Sequence, residues 1–319
     1  MLSRHLEANG DTMPDDEASV LARQMLLLVQ NSDQLPIEVG KAVAPLMRML
    51  KARQDEAVAG NVLAALAALV VRSEPECDMG KEALELGALA EVERLMGHSD
   101  ALLEAAGGEG AAEGERDPRL LGSQIRTNSV VLLHALAHAC PAAADPVLAG
   151  RPVRRVGEML ATGEAPANLR TVCLDIFAHL VSSKGDAGKA VARECGILGV
   201  VSRMIAAAQP EEDAELSVRA LLVAGLLLPE RDGEGGPKNG GNLREMAATE
   251  GCVDGLVRLC RNRDSDCHAI AVTILREMSA DEGLKDQVEA ALQAAAVEIR
   301  TEREQADEAA AAMANAKLN

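Results

Sequence analysis

Lys81–Met96 reads KEALELGALAEVERLM, and this stretch contains the pattern that decides the predicted fold. Helix-forming residues lead to Gly87, and after the glycine four apolar residues stand at relative positions 0, 3, 6 and 7. These four residues are Leu89, Val92, Leu95 and Met96. Residues with this spacing lie on one face of an α-helix. The stretch therefore predicts two helices joined at a glycine, the second with a single apolar face.

The same apolar pattern returns at four other places in the chain. These copies are Val43-Leu46-Met49-Leu50, Val153-Val156-Met159-Leu160, Leu198-Val201-Met204-Ile205 and Val253-Leu256-Leu259-Cys260. Two pairs of copies begin about 45 residues apart, which is a period typical of helical repeats. A unit of this size cannot cover its apolar face alone and stacks on its neighbours, which creates a long open surface. We therefore predict an all-α protein that forms an α-solenoid.

Each apolar signature stands between a shorter upstream helix and a longer downstream helix. In three copies the upstream helix ends in a glycine, at Gly87, Gly196 and Gly251. Glycine adopts the left-handed conformation without steric cost, so the chain can turn sharply into the next helix. The downstream helices are predicted at Asn61–Val71, Asn128–Cys140, Leu169–Ser182, Leu216–Leu228 and His268–Ser279. The repeating unit is therefore predicted to contain three helices.

The repeat array is predicted to cover residues 37–280, with helical caps on both sides. Residues 1–36 contain an amphipathic stretch, Asp15–Gln30, that we expect to form the N-terminal capping helix. Residues 281–319 are expected to form a long C-terminal helix, from Leu284 to about Ala314, and a tail. Such caps are expected because a helical array must shield its terminal apolar surfaces from water.

Two stretches interrupt the repeat period. Residues 97–119 read GHSDALLEAAGGEGAAEGERDPR, and residues 229–241 read PERDGEGGPKNGG. Compositions this rich in Gly and Glu bury too little apolar surface to offset the entropy that is lost when a chain becomes ordered. We therefore expect a flexible acidic insertion at residues 97–119 and a Gly-rich loop at residues 229–241.

The composition excludes several kinds of partner. The chain has 32 basic and 50 acidic residues and a net charge of −18, whereas a protein that binds nucleic acid needs a basic face. It has no Trp, no Tyr and a single Phe, Phe177, so the core must be filled by aliphatic side chains. No apolar run is long enough to span a bilayer, and the first residues do not read as a secretory signal. We predict no nucleic-acid partner and no membrane insertion.

Cysteine usage indicates a reducing compartment. The seven cysteines are Cys77, Cys140, Cys173, Cys195, Cys252, Cys260 and Cys267. Their number is odd, they are scattered, and none forms a C-x-x-C pair, which fits reduced thiols and a cytoplasmic location. A zinc site at Cys260, Cys267 and His268 would lack a second ligand pair, so ordinary packing is the preferred interpretation.

Two local patterns could hold a metal or a phosphate, and both are incomplete. His134 and His138 stand four residues apart, a spacing that can bind a metal, but no Glu follows His134 as in zinc peptidases. Lys238 lies in a Gly-rich stretch, but a phosphate loop requires Ser or Thr after the lysine and a strand before the loop. We interpret the histidines as core or ridge residues and the Gly-rich stretch as a loop.

A nucleophilic site is also not predicted. Cys195 follows Glu194, and Cys267 precedes His268, but adjacent residues of a helix point about 100° apart and do not face each other. No Ser or Cys is placed with a base and a third orienting group. We predict that the protein is not an enzyme and that it uses no cofactor.

Lys81–Met96 resembles the linking pattern of the armadillo repeat, and the segments Arg193–Ile205 and Thr249–Cys260 resemble it as well. The resemblance covers most of Ile37–Ala280 and implies a right-handed α-solenoid of about five armadillo-type three-helix repeats with helical caps. In that family the third helices line a concave groove, and many peptide-binding members have an Asn there. The matching residues of this chain are Ala68, Ala135, His179, Leu227 and Glu277, and none of them is Asn. We therefore expect the partner to be recognised as a folded protein surface and not as an extended peptide.

A mildly basic strip is predicted on the groove because polar residues stand near the beginnings of the predicted third helices. Arginine is enriched at the centres of interfaces because its planar group pairs with carboxylates while its stem packs. Solvated helix ends without a partner are the alternative interpretation. The predicted partner-binding residues are Asn61, Arg126, Asn128, Arg170, His179, Arg219, His268 and Glu277.

One armadillo subfamily resembles this chain beyond the repeats. Met25–Leu50 resembles the capping-helix region of the armadillo-type nucleotide exchange factors of 70-kDa heat-shock chaperones, and Glu289–Glu308 resembles their closing helix. The resemblance implies a co-chaperone that grips the ATPase domain of the chaperone so that ADP leaves, and that does no chemistry itself. The alternative is a general armadillo scaffold or adaptor in signalling, trafficking or a cytoskeletal assembly. In both cases we expect a monomer that binds a protein.

Overall fold

The computed structural model describes residues 2–9, 12–32, 39, 41–72, 78–105, 117–209, 214–228 and 240–316. Within these ranges the chain forms helices and turns and contains no strand. The prediction of an all-α protein is therefore confirmed. The chain divides into two compact units, Met1–Cys195 and Gly196–Asn319.

The first unit contains eleven α-helices within the part of the chain that the structure describes. They are α1 (Leu2–Asn9), α2 (Asp15–Asn31), α3 (Val43–Ala52), α4 (Glu56–Val71), α5 (Met79–Glu85), α6 (Ala88–Ala105), α7 (Pro118–Ala139), α8 (Ala144–Ala149), α9 (Arg151–Thr162), α10 (Ala167–Lys184) and α11 (Asp186–Glu194). Helix α2 packs on α4, α4 on α7, and α7 on α10. Helices α3, α6 and α9 form a second series, in which each member contacts the next.

The second unit has the same order of helices. Its described helices are α12 (Ile197–Ala207), α13 (Ala214–Leu227), α14 (Gly240–Ala248), α15 (Cys252–Leu259), α16 (Ser265–Ala280) and α17 (Lys285–Ala316). Helix α12 packs on α15 and α13 packs on α16, while α17 covers α15 and α16. The predicted helices Asp15–Gln30 and Leu284 to about Ala314 correspond to α2 and α17.

The apolar signatures form the core of both units. Every signature residue is buried except Leu89, Met204 and Cys260, which are half-buried. Phe177 is 1% exposed, and its ring lies 3.5 Å from the position that a Cβ of Gly157 would occupy. Aliphatic and small side chains therefore fill the described core, as the composition predicts.

The three predicted glycine turns are confirmed. Gly87, Gly196 and Gly251 have φ angles of 83°, 65° and 76°, in the left-handed region that a side chain disfavours. Gly87 directly precedes α6, Gly196 precedes α12 and Gly251 precedes α15. The same short turn thus leads into the signature helix in three places of the sequence.

The predicted boundary of the acidic insertion at residues 97–119 is wrong. Helix α6 continues from Met96 to Ala105, and α7 begins at Pro118, so only residues 106–116 lie outside the described residues. The helix-forming Ala101, Leu102, Leu103 and Glu104 outweigh the helix-breaking effect of Gly97. The buried Ser99 hydroxyl also donates to the Met96 carbonyl oxygen at 2.7 Å. In the second interruption, residues 229–239 lie outside the described residues, and Gly240 and Gly241 begin α14.

Two third helices begin earlier than the apolar pattern predicts. Helix α4 starts at Glu56, where the Asp55 side chain accepts the Val58 amide at 2.9 Å. Helix α7 starts at Pro118, where Asp117 accepts the Arg119 amide at 2.9 Å. These side chains satisfy amides that have no partner inside the helix. The predicted starts at Asn61 and Asn128 therefore miss the first five residues of α4 and the first ten residues of α7.

Gly97→Ala is expected to stabilise the protein. Gly97 lies inside α6, and a Cβ at this position would meet no atom within 4 Å. Alanine should raise the free energy of unfolding by about 0.5–1 kcal/mol because it limits the unfolded chain and favours the helix. Denaturant unfolding followed by circular dichroism measures the change.

Gly122→Ala is the matched control for this substitution. Gly122 also lies inside a helix, but its Cβ would meet Leu102, Leu103 and the Ser99 carbonyl oxygen at 3.1–3.2 Å. We expect this variant to be less stable than Gly97→Ala because α6 and α7 pack closely there. Equal stabilisation by both variants would contradict the described packing.

Candidate interaction surface

Asn61 and Asn128 connect neighbouring helices of the first unit. Asn61 Nδ2 donates to Ser19 Oγ of α2 at 2.8 Å, and Asn128 Nδ2 donates to the Gly60 carbonyl oxygen of α4 at 2.8 Å. Neither residue lies at the beginning of its helix, because α4 and α7 start earlier than predicted. Both amides are thus used in helix-to-helix hydrogen bonds.

Arg126 and Arg170 are also held by internal acceptors. Arg126 is 12% exposed, and its Nη2 lies 2.7 Å from Asp100 Oδ1. Its Nη1 lies 3.6 Å from Glu164 Oε2. Arg170 donates from Nε to the Ala165 carbonyl oxygen at 2.6 Å and from Nη2 to that of Gly163 at 3.0 Å. These two arginines therefore fix the turn between α9 and α10 and its contact with α7.

Three residues of the predicted strip lie in the second unit: Arg219, His268 and Glu277. Arg219 Nη2 lies 3.9 Å from Glu215 Oε1 in α13. His268 Nδ1 lies 2.5 Å from the Cys260 carbonyl oxygen, and Glu277 is half-buried in α16. The structure thus gives most of the strip residues internal partners. Binding of a protein by these residues stays a prediction.

Asp100 is the centre of an ion-pair cluster that the sequence analysis missed. Its carboxylate lies 2.7 Å from Arg126 of α7 and 2.7 Å from Arg155 of α9. Arg155 also lies 2.9 Å from Glu158. The hydrogen bond to Asp100 raises the pKa of Arg155, although burial of the guanidinium opposes this rise. Asp100 was missed because it lies in the stretch that was expected to be a loop.

Two open grooves on the units have balanced charges. A groove of about 370 Å³ lies between α6 and α9, where Arg151 pairs with Glu93 at 3.6 Å. A groove of about 460 Å³ lies between α15 and α17, where Arg261 lies 3.9 Å from Glu298. Since the charged side chains pair across each groove, neither groove presents a strong field to a ligand.

Three histidines form a row on the surface of α7 and α10, which we name the histidine row. It consists of His134, His138 and His179. The ring centroids of His134 and His138 are 4.3 Å apart, and those of His138 and His179 are 4.2 Å apart. His138 is exposed and the other two are half-buried. His138 Nε2 lies 3.4 Å from the Asp175 carbonyl oxygen.

The histidine row lies on a surface of low charge. In the later turns of α4, α7 and α10, one set of half-buried or exposed residues recurs three or four positions apart and forms a stripe on each helix. We name these stripes the third-helix face. It consists of Ala64, Ala68, Val71, Thr127, Val131, His134, His138, Val172, Asp175 and His179. Asp175 is the one Asp, Glu, Lys or Arg among these ten residues, although the chain has a net charge of −18.

The pKa of His179 is lowered, first by burial and then by the nearby His138, while a hydrogen bond with the Ala137 backbone opposes the shift. The folded protein therefore keeps His179 neutral at a pH where the unfolded chain binds a proton. We expect the free energy of unfolding to fall as the pH drops below about 6.5, the ordinary pKa of histidine. Urea unfolding across this pH range measures the loss.

His179→Gln is the control for this pH effect. Glutamine does not titrate, so the variant should lose less stability than the natural protein between neutral and acidic pH. His5→Gln replaces an exposed histidine outside the histidine row and shows what the exchange of histidine for glutamine does elsewhere in the chain. An identical pH profile for the natural protein and His179→Gln would contradict this prediction.

The cysteines are thiols without disulfide partners among the described residues. Burial raises the pKa of Cys173 to about 12 and those of Cys195, Cys252 and Cys260 to about 11. These thiols stay protonated at neutral pH, which makes them weak nucleophiles. Within the described ranges, no group of three or more His, Cys, Asp or Glu residues could hold a metal.

Among the described residues, no single helix is long and apolar enough to cross a membrane. One pair reaches that length and composition, Pro118–Ala139 with Pro141–Ala149, but its two parts are bent by 111°.

Solved structures share this fold, although no protein-family model and no curated protein matches the sequence. One engineered protein has a TM-score of 0.60 and 16% identity, over 88% of this chain and 99% of its own. A second engineered protein has a TM-score of 0.58 and 15% identity, over 86% of this chain and 95% of its own. At this level of identity, the likeness concerns the fold alone.

Proposed function

We propose that this chain is a non-catalytic protein-binding module, a right-handed α-solenoid of about five armadillo-type three-helix repeats with helical caps. The recurring order of helices, the left-handed glycines before α6, α12 and α15, and the packing of α4, α7 and α10 in series support this proposal. We further propose a cytoplasmic monomer, because the scattered free thiols fit a reducing compartment.

The observation that carries the proposal is the low charge of the third-helix face. The centres of protein interfaces are depleted in charged residues and enriched in planar side chains. The third-helix face has one charged residue, Asp175, and three imidazole rings, whereas 26% of all residues in the chain are charged. We propose that a protein partner covers this face.

The best specific function is nucleotide exchange on a 70-kDa heat-shock chaperone. The proposal is supported by helices α2 and α17, which stand before the first and after the last signature helix in the sequence, where the resemblance implies capping helices. Such a factor grips the ATPase domain and does no chemistry. Because it binds one conformation of that domain better than another, it weakens the affinity of the domain for nucleotide by linkage.

Release of labelled ADP from the ATPase domain tests this function. The domain is loaded with fluorescent ADP and mixed with the whole chain and excess unlabelled ATP. We expect the ADP off-rate to rise with the concentration of the chain until it saturates. An unchanged off-rate at the highest concentration would remove the exchange-factor proposal.

A general armadillo scaffold or adaptor is the second candidate. Helix α6 has 18 residues where α3, α9, α12 and α15 have 8–12, and α7 has 22 where the other third helices have 14–18. This longer pair adds surface that a simple repeat lacks, which suits a protein with two partners. Co-purification of signalling, trafficking or cytoskeletal proteins from chaperone-depleted extract, without any effect on ADP release, would favour the scaffold.

A further inference from the structure

The histidine row has an unusual place in this chain because it supplies planar rings that the composition otherwise lacks. The chain has no Trp and no Tyr, and its single Phe, Phe177, is buried. Interfaces commonly depend on planar side chains as energetic centres. On the third-helix face, the rings of His134, His138 and His179 can serve as such energetic centres.

We propose that the histidine row is the docking site for a basic segment of a protein partner, whose arginine side chains stack on the imidazole rings. This inference rests on the proposed protein-binding function and names the chemistry of the partner. Arginine has a flat, weakly hydrated guanidinium group that stacks on aromatic faces. The exposed ring of His138, between two half-buried rings, offers such a face.

The charge of the surroundings selects a basic partner over an acidic one. The chain has a net charge of −18, so its long-range field attracts cations and repels anions. The third-helix face has no Lys or Arg among its ten residues, and Asp175 supplies its one charge. Neutral imidazoles do not repel a guanidinium group, and the lowered pKa of His179 keeps that ring neutral at neutral pH.

The three other histidines of the chain have different surroundings and serve as internal references. His5 Nδ1 lies 3.2 Å from Asn9 Nδ2, and His98 Nε2 lies 3.2 Å from Glu56 Oε1. His268 Nδ1 lies 2.5 Å from the Cys260 carbonyl oxygen. None of these three has a ring contact with another histidine among the described residues, so a stacking ligand should distinguish them from the histidine row.

Binding of a labelled peptide to the whole chain tests the proposal. The probe is a short fluorescent peptide of alternating arginine and glycine, and its twin has glutamate in place of arginine. At neutral pH and physiological salt, we expect the arginine peptide to bind and the glutamate peptide not to bind. Absence of binding by the arginine peptide, or preference for the glutamate peptide, would overturn the proposal.

The variant His138→Ala with His179→Ala separates stacking from bulk charge. We expect it to weaken binding of the arginine peptide about tenfold, since two stacking surfaces are lost while the net charge at neutral pH is kept. The control variant, His5→Ala with His98→Ala, should bind as the natural protein does. Equal binding by both variants would mean that the peptide follows the net charge alone, which would overturn the proposal.

Proton NMR of the natural protein gives a measurement that does not depend on the folding of a variant. The chain has six histidines, and each contributes one Cε1–H signal. The arginine peptide should shift the signals of His134, His138 and His179 and leave the other three in place. Shifts confined to His5, His98 or His268 would contradict the assignment.

This test and the ADP-release test fail independently. If the chain binds the arginine peptide on the histidine row without accelerating ADP release, the result supports this inference and contradicts the exchange-factor function. If the chain accelerates ADP release while the peptide neither binds nor shifts the signals of the histidine row, the result supports the function and contradicts this inference.

Discussion

Gly255→Ala is expected to destabilise the second unit by about 3 kcal/mol, at the upper end of the usual cost of overpacking. A Cβ at Gly255 would lie 2.1 Å from the carbonyl oxygen of Ile205 and 2.8 Å from its carbonyl carbon. These are backbone atoms of α12, so they cannot move aside as a flexible side chain can. Helices α12 and α15 would have to separate, and the buried contacts between them would be lost. Denaturant unfolding followed by circular dichroism measures the loss.

Gly199→Ala is the matched control in the same unit. Gly199 lies inside α12, and the nearest atom to its Cβ would be Arg203 Nη1 at 3.6 Å, an ordinary contact. We expect this variant to be more stable by about 0.5–1 kcal/mol, since alanine favours the helix. A similar change of stability in both variants would contradict the close approach of α12 and α15.

Asp100→Asn is expected to destabilise the first unit by about 2 kcal/mol, because it leaves two partly buried guanidinium groups without their shared carboxylate. Arg126 is 12% exposed and Asp100 is 21% exposed, so water compensates only part of the loss. The cost stays below that of a fully buried ion pair because Arg155 is 32% exposed. The free energy of unfolding by denaturant, measured at low and high salt, tests this result.

Glu158→Gln is the control for Asp100→Asn. Glu158 also pairs with Arg155, but its side chain is 62% exposed. Exposed ion pairs contribute roughly 0–1 kcal/mol, so this variant should be nearly as stable as the natural protein. If Asp100→Asn were equally harmless, the cluster would not hold α6, α7 and α9 together.

The fold could be predicted from the sequence because its main signals are local. The spacing of Val153, Val156, Met159 and Leu160 indicates one buried helical face, and all four residues are buried in α9. Gly87 was identified by its place after a helical segment, and it has a positive φ angle. Both signals depend on a few neighbouring residues, so they can be recognised without knowledge of the tertiary structure.

The roles of the polar residues could not be predicted because their partners are distant in sequence. Asn128 bonds the Gly60 carbonyl oxygen, 68 residues away, and Asn61 bonds Ser19, 42 residues away. A predicted binding residue and a structural residue look the same in a helical pattern until the neighbouring helix is known. The sequence therefore identified polar side chains on the third helices without showing which contacts they make.

The histidine row was within reach of the sequence. The armadillo-type matching places His179 opposite Ala135, which lies between His134 and His138 in α7. Histidines near matching positions of packed third helices are expected to lie close together, and His138 lies one helical turn beyond His134. His134 and His138 were interpreted from the sequence as core or ridge residues in preference to a metal pair, and they were not connected with His179.

Site-specific photo-crosslinking tests the central claim, that the third-helix face binds a protein partner, most directly. A photoreactive residue is placed at Val131 or Val172 on that face, or at the exposed Glu93 or Arg193 elsewhere on the first unit. Each variant is irradiated with the ATPase domain of a 70-kDa chaperone. If the third-helix face binds this domain, we expect crosslinks from positions 131 and 172 and none from positions 93 and 193. Crosslinks from positions 93 and 193 alone, or from no position, would contradict it.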